Sequence, residues 1–319
     1  MNLFFSGAPS GTARMLSETD PRVVDICDTH YRLFSCHGDY RRIAHKGCER
    51  LLEVDLGMRT EIMLDSGAFT AWSKGKEITL DELIPVYDEF LEKYGHLYKE
   101  MWMINLDKIP GERGRTAGAE ELVEAMKISD DNFEVLKERY GGRVLPVFHQ
   151  NEPKEQLFKL ASKADYICIS PRNDLPELSR VQWSLEAHSL IPGVKTHGLA
   201  ATGARMMAQV PWGSVDSATW ISLAVNGGII QESHLKLRII QISSKSGAIK
   251  DADAHYDTMP ESERKAIKVR AAEYGFDSDD LREDYVMRML YNRIALIKYA
   301  QRYETQLYQP GFQQSLFDL

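Results

Sequence analysis

The chain has 319 residues, with 39 Lys and Arg against 47 Asp and Glu and a formal net charge of −8. This balance argues against a protein coated in positive charge for nucleic acid, and leaves room only for a local basic groove. No apolar run approaches the roughly 18 residues of a membrane span, no signal-peptide pattern opens the chain, and four cysteines are sparse for a disulfide framework, so a cytoplasmic location without membrane contact is the expectation.

Short β-rich runs lie at 3–7, 32–37, 61–67, 101–107, 143–149, 166–170, 195–200 and 214–220. Between them are helix-like stretches near 10–18, 40–56, 79–94, 118–140, 153–163, 178–190 and 203–210. The stretch 79–94 carries the signals in full. Thr79 and Glu82 match a capping box, Leu80, Leu83, Ile84, Tyr87 and Leu91 recur at helical spacing, and Gly95 is placed to close the helix in a left-handed conformation. Strand then helix, repeated about eight times, predicts an α/β fold, a (β/α)8 TIM barrel. An open doubly wound sheet is the alternative, but no strand is followed by GxGxxG.

After Trp220 the rhythm changes. Gly227-Gly228 leads into a hairpin or last strand pair, a loop follows, and helices are expected at 260–274 and 279–304 before the tail QPGFQQSLFDL. The expected organisation is a catalytic barrel over 1–227, an extension packed on it over 228–306, and a flexible tail over 307–319.

Chemistry in such a barrel sits at the C-terminal ends of the strands. Three aspartates fall there: Asp65 in LDSGAF, Asp107 in INLDKIP and Asp216 in VDSATW. His149-Gln150 ends the fifth run and His197-Gly198 lies in the seventh. One acid at a strand end is ordinarily a cap or a loop acceptor. Three on apolar strands point to use, because burying a carboxylate costs several kcal/mol unless it is paired. Gly67 permits a tight turn and close approach of a flat ligand, and Phe69 or Trp72 offers an apolar wall, although core packing is the plainer reading of Trp72. Paired carboxylates at a barrel mouth suit chemistry at an anomeric carbon, one as nucleophile and one as acid then base. Spacing does not choose between a retaining glycosidase and a base-exchange enzyme.

DSGAF at 65–69 resembles the DSGGF signature of tRNA-guanine transglycosylases, in the same place in the strand order. Asp107 matches the base-recognising aspartate of that family, Gln150 its base-contacting glutamine, and Asp216 its nucleophile. The resemblance spans roughly residues 1–225. The CxCxxC zinc motif of the tRNA enzymes is missing, as is the basic stretch beside their nucleophile. DSGAFTAW, HGLAATG and VDSATW together look more like the compact phage-type branch called DpdA, which exchanges guanine in DNA for a 7-deazaguanine. The resemblance implies a pentosyltransferase of the host cytoplasm, if phage-encoded, that hypermodifies phage DNA against restriction, with no cofactor and no catalytic metal. It implies Asp65 and Asp216 as catalytic residues, with Ser66, Gly67, Phe69, Asp107, Gln150, His197 and Gly198 around the base. The two catalytic roles could be exchanged. The same exchange on tRNA, or a catalytically idle barrel serving DNA or a clamp as an accessory subunit, are the alternatives.

Cys27, His30, Cys36, His37, His45 and Cys48 cluster near the start, in spacings that match no standard zinc finger. Arg113, Arg115 and Arg172 are the candidate phosphate contacts, with Arg264, Lys265, Lys268 and Arg270 as a possible second strip. Gln313, Leu316 and Phe317 in QQSLF resemble the sliding-clamp-binding peptide, which sets Leu and Phe in an apolar pocket.

Overall fold

The computed structural model describes residues 1–7, 18–26, 29–38, 40–111, 115, 117–247 and 255–307, the last four of these without their side chains. Its strands are β1 (Asn2–Ser6), β2 (His30–Ser35), β3 (Thr60–Asp65), β4 (Glu100–Ile104), β5 (Val144–Leu145), β6 (Val147–His149), β7 (Tyr166–Ser170), β8 (Lys195–Gly198) and β9 (Ser214–Ser217). All nine are parallel, in the order β5-β4-β3-β2-β1-β9-β8-β7-β6. The two ends of that order are halves of one strand, parted by Pro146, which has no N–H to give the ladder. Its carbonyl still accepts from Cys168 N–H at 2.8 Å. The sheet therefore closes into an eight-stranded α/β barrel.

The interior follows from the two-residue period of a strand. Phe4, Leu33, Met63, Ile104, Leu145, Val147, Tyr166 and Cys168 form one buried cluster inside the barrel. Two residues further along five of the strands stand Ser6, Ser35, Asp65, His149 and Ser170, and on β9 Asp216 stands two beyond the buried Ser214. Polar residues therefore gather at the C-terminal mouth, with buried Ser214 and His197 extending them inward along β9 and β8. Odd and even positions swap faces, so Leu3, Phe5, Ile167, Ile169 and Val215 join the outer core under the helices.

The helices are α1 (Pro21–Val24), α2 (Tyr40–Glu53), α3 (Ala68–Ser73), α4 (Leu80–Tyr94), α5 (Ala119–Tyr140), α6 (Lys154–Ala161), α7 (Glu177–Leu190), α8 (Ala204–Gln209) and α9 (Thr219–Val225). The capping box of α4 is present, with Glu82 accepting from Thr79 N–H at 2.9 Å. Gly95 is not left-handed: its φ is −57°. Its value is room, since a Cβ there would lie 2.6 Å from the Leu91 carbonyl oxygen. Two short helices, α3 and α9, occupy stretches read above as a turn and as the end of a strand. At α9 the chain turns because Ser217 Oγ accepts from Thr219 N–H at 3.0 Å. The expected helix at 10–18 and the tail at 308–319 lie outside the described residues, apart from Glu18.

The extension is the hairpin β10 (Gly228–Ser233) and β11 (Lys236–Gln241), then α10 (Glu261–Glu273), α11 (Ser278–Glu283) and α12 (Tyr285–Leu307). The single helix expected over 279–304 is two, broken at Asp284, which leaves the helical region at φ −112° and ψ 119°. Helix α12 packs on α9, α8, α1 and β10. Met289, Leu290, Tyr291, Ile294 and Ile297 belong to the same apolar cluster as Leu3, Phe5 and Trp220. Asn292 is fully buried; its Oδ1 accepts from Ile230 N–H at 2.8 Å and its Nδ2 donates to Gly228 O at 3.1 Å. Barrel and extension thus share a core. Beside Asn292, Arg293 lies in a solvent-free network with Glu18, His30 and Arg32, where Arg32 Nη1 is 2.8 Å from Glu18 Oε1. Among the described residues no helix is long and apolar enough to cross a membrane.

Candidate functional site

Asp216 ends β9 one residue before Ser217 and points into the mouth. Its Oδ2 accepts from Ser6 Oγ at 2.8 Å, and its Oδ1 accepts from Ala200 N–H at 2.7 Å. Ala200 holds a φ of +48°, a conformation costly for a residue with a Cβ. That strain turns its N–H toward the carboxylate. Every hydrogen bond shown to Asp216 is a donated one, the setting of an anion.

Asp65 ends β3 in the register Ser35↔Asp65. Burial pushes its carboxyl up to about 6, the Ser35 hydroxyl and Gly67 N–H pull it down, and the charges of Asp107 and Asp216 push it up again. Asp65 and Asp216 stand at the C-terminal ends of β3 and β9 and Asp107 just beyond that of β4, so all three lie at the same end of the barrel. Gly67 turns the chain with φ +84° and caps α3. The close approach it permits is to its own protein, since a Cβ there would lie 2.2 Å from His37 Cβ.

Asp107 stands beyond the end of β4, on a loop rather than in the strand expected over 101–107. Asn105 Nδ2 donates to Ser129 O at 2.9 Å, Ser129 Oγ accepts from Lys108 N–H at 2.9 Å, and Asn132 Nδ2 donates to Leu106 O at 2.7 Å. These bonds fasten the loop to α5. Asp107 Oδ2 meets His149 Nε2 at 2.7 Å. Burial opposes a charged His149, but Asp107 and then Glu152 outweigh it and raise its pKa above the ordinary value. Glu152 is buried, accepts from His149 N–H at 3.0 Å, and is pushed up to about 7, chiefly by burial and against the pull of His149. Gln150 spends its Oε1 on the Arg172 N–H at 2.9 Å, which leaves its NH2 to donate. The site thus joins a carboxyl whose proton affinity is raised, a hydrogen-bonded carboxylate, and an aspartate–histidine pair.

His197 is fully buried beneath Asp216, its ring edge-on to Phe4 at 5.6 Å, so it faces the barrel filling. At Gly198 a Cβ would meet Ala201 Cβ at 2.7 Å and the Trp212 ring at 3.1 Å; this glycine serves packing. Ser66 is buried, and its Oγ accepts from Ala68 N–H at 3.4 Å. Phe69 is 61% exposed and lies 5.7 Å from the Trp72 ring, whose Nε1 donates to Gly111 O at 2.9 Å. Arg115 is held by both oxygens of Glu121, at 2.7 and 2.6 Å, and Arg172 by both oxygens of Asp174. Arg113, Gln313, Leu316, Phe317 and Cys27 lie outside the described residues. Among the described residues, no three His, Cys, Asp or Glu form a metal-binding group.

Ser6, Ala200 and Glu152 were not singled out by the sequence, and His149 was noted at the end of the fifth run but given no role. Only the period-two position of Ser6 and His149, two residues past an interior apolar residue, marks them in retrospect.

No family model matches the chain, and no curated protein matches it. Among solved structures, it is similar to a D-allulose 3-epimerase from Methylomonas sp., at 10% identity and a TM-score of 0.40 over 94% of this chain and 98% of that one. It is similar to a probable tagatose 6 phosphate kinase from Sinorhizobium meliloti 1021, at 9% identity and a TM-score of 0.41 over 99% and 90%. It is also similar to the carboxyl transferase domain of Rhizobium etli pyruvate carboxylase, at 12% identity and a TM-score of 0.37 over 99% and 52%. The strand order, not these likenesses, establishes the barrel.

Proposed function

We propose that the protein is an enzyme, a guanine transglycosylase that exchanges guanine in DNA for a 7-deazaguanine through a covalent aspartyl-deoxyribose intermediate. The observation that carries this reading is the meeting of Asp65, Asp107 and Asp216 at one barrel mouth, with the Asp65 carboxyl raised to about 6. Carboxylates set apart by their surroundings divide naturally into acid and nucleophile. The sequence resemblance to transglycosylases supplies the substrate class.

In this mechanism the target deoxyguanosine is unstacked and flipped into the mouth, at a cost of a few kcal/mol. Asp107 offers the purine edge the oxygen that His149 does not hold, and Gln150 offers its free NH2. Asp216, steadied by Ser6 and Ala200, attacks the anomeric carbon. Asp65 gives its proton to the departing guanine, then takes one from the incoming base, with net retention. DNA phosphates near Arg115 and Arg172 must displace Glu121 and Asp174, so those contacts are competitive.

The test is incubation with labelled guanine and either DNA or tRNA. Label entering DNA supports the reading. Label entering only tRNA moves the activity to the other polymer, and label in neither leaves the barrel as an accessory protein. A variant lacking 308–319 tests the proposed sliding-clamp contact: capture by a purified bacterial clamp should disappear while exchange on free DNA persists.

A further inference from the structure

Asp216 stands on a buried hydrogen-bond chain that the mechanism above leaves unused. Tyr166 and Ser214 share an O–H···O bond, Ser214 Oγ lies 2.6 Å from His197 Nδ1, and His197 Nε2 lies 3.5 Å from Asp216 Oδ1. Ser214 and His197 are fully buried and Tyr166 nearly so. His197 Nε2 is a buried nitrogen without a hydrogen-bond partner, and the Asp216 carboxylate lies 3.5 Å from it.

We propose that His197 is a positioning residue for Asp216, the last link of a chain of donors that runs one way from Tyr166 to the carboxylate. It rests on the transglycosylase reading for its role in turnover. The direction follows from proton counting. A neutral imidazole carries one proton, on Nδ1 or on Nε2. With the proton on Nδ1, the Nε2 lone pair would face a carboxylate oxygen. With the proton on Nε2, Nδ1 accepts from Ser214, Ser214 accepts from Tyr166, and an N–H faces Asp216. Tyr166 remains a phenol, because burial pushes its pKa up.

The chain also distinguishes the two oxygens of Asp216. Oδ1 faces both the Ala200 N–H and the His197 N–H, whereas Oδ2 has the Ser6 hydroxyl. Oδ2 is therefore the attacking atom, and Oδ1 becomes the ester carbonyl. As the bond from Oδ2 to the anomeric carbon forms, the bond from that carbon to guanine breaks and guanine takes the Asp65 proton. In the second half the incoming base attacks the anomeric carbon and its proton passes to Asp65. As that bond forms, Oδ2 departs with the bonding pair of the ester C–O bond. The negative charge returns to a carboxylate whose Oδ1 already faces a donor, so the chain favours release of the intermediate.

The experiment compares His197→Phe, His197→Gln and wild type. Phe keeps a ring against Phe4; Gln keeps a donor for Asp216. His197→Phe is expected to lower kcat about ten- to a hundredfold, with KM for the incoming base unchanged and the covalent DNA adduct accumulating. His197→Gln should recover much of the loss. A raised KM with unchanged kcat would mean that His197 reads the base, and would overturn the proposal. Histidine 15N–1H correlation spectra of the wild type give a readout free of activity. A protonated Nε2, shifting toward Nδ1 in Ser214→Ala, supports the chain, and a protonated Nδ1 in the wild type refutes it. A wild type that exchanges no base while showing protonated Nε2 removes the functional reading alone.

Discussion

In the proposed reaction Asp65 must carry a proton where Asp216 must carry a charge, and their contacts fit that division. Asp216 is met by donors from Ser6 and Ala200, while Asp65 is lifted to about 6 mainly by burial. Asp216→Asn should abolish the covalent adduct, read as a DNA–protein band on a denaturing gel. Asp65→Asn should still bind DNA but lose about two to four orders of magnitude in exchange, the share of a general acid. It should also gain stability above pH 6. The ordinary carboxyl value is 3.8, so the unfolded chain releases this proton first, and folding is progressively penalised as pH rises from about 4 to about 6. Removing the charge should therefore raise the unfolding free energy at pH 8 by up to about 3 kcal/mol, read as a higher urea midpoint, with little change at pH 4. The three aspartates were legible because a carboxylate on an apolar strand is expensive and stands out. His149 and Glu152 were not legible as site residues. Their roles come from Asp107, 42 residues upstream of His149, and no local pattern announces that meeting.

At the level of elements, the strand and helix rhythm was legible wherever an element was long enough to show its period. Helices α3 and α9 have six and seven residues, under two turns, and escaped notice. Pro146 divides the fifth strand without breaking the ring, because its neighbours still pair with β4 and β7. The break at Asp284 was hidden by apolar residues that continue on both sides of it. Gly67 is the position where an element boundary depends on one residue. Gly67→Ala adds a left-handed penalty of about 1–2 kcal/mol, and its Cβ would fall 2.2 Å from His37 Cβ. The variant should melt well below wild type and lose exchange, since the same turn aims the Gly67 N–H at Asp65. A melting curve and an exchange assay on one preparation check both.

Over the whole molecule, buried titrating groups pull in opposite directions. His30 and His188 are each pushed down to about 4, chiefly by burial, so the folded protein declines protons that its unfolded chain accepts near 6.5. That costs stability as pH falls from 6.5 toward 4. Asp65 and Glu152, raised to about 6 and about 7, act with the opposite sign over much of the same window. The wild type should therefore show a nearly flat urea midpoint between about pH 4.5 and 6, and the double variant Asp65→Asn, Glu152→Gln a midpoint that falls on acidification. Arg293, fully buried beside Glu18, should cost about 3–5 kcal/mol when replaced by Ala, read as a lower unfolding midpoint. That network was not legible, because Glu18 and Arg293 stand 275 residues apart. Its partners also bear on biogenesis. Strand β1 pairs with β9, and its outward Phe5 lies under the Arg293 guanidinium of α12, 4.6 Å away. Strand β1 must then wait, with one edge unpaired, until the roughly 200 residues that separate it from β9 have been made. Closure comes late and over long separations, which predicts slow maturation and a nascent chain that depends on chaperones.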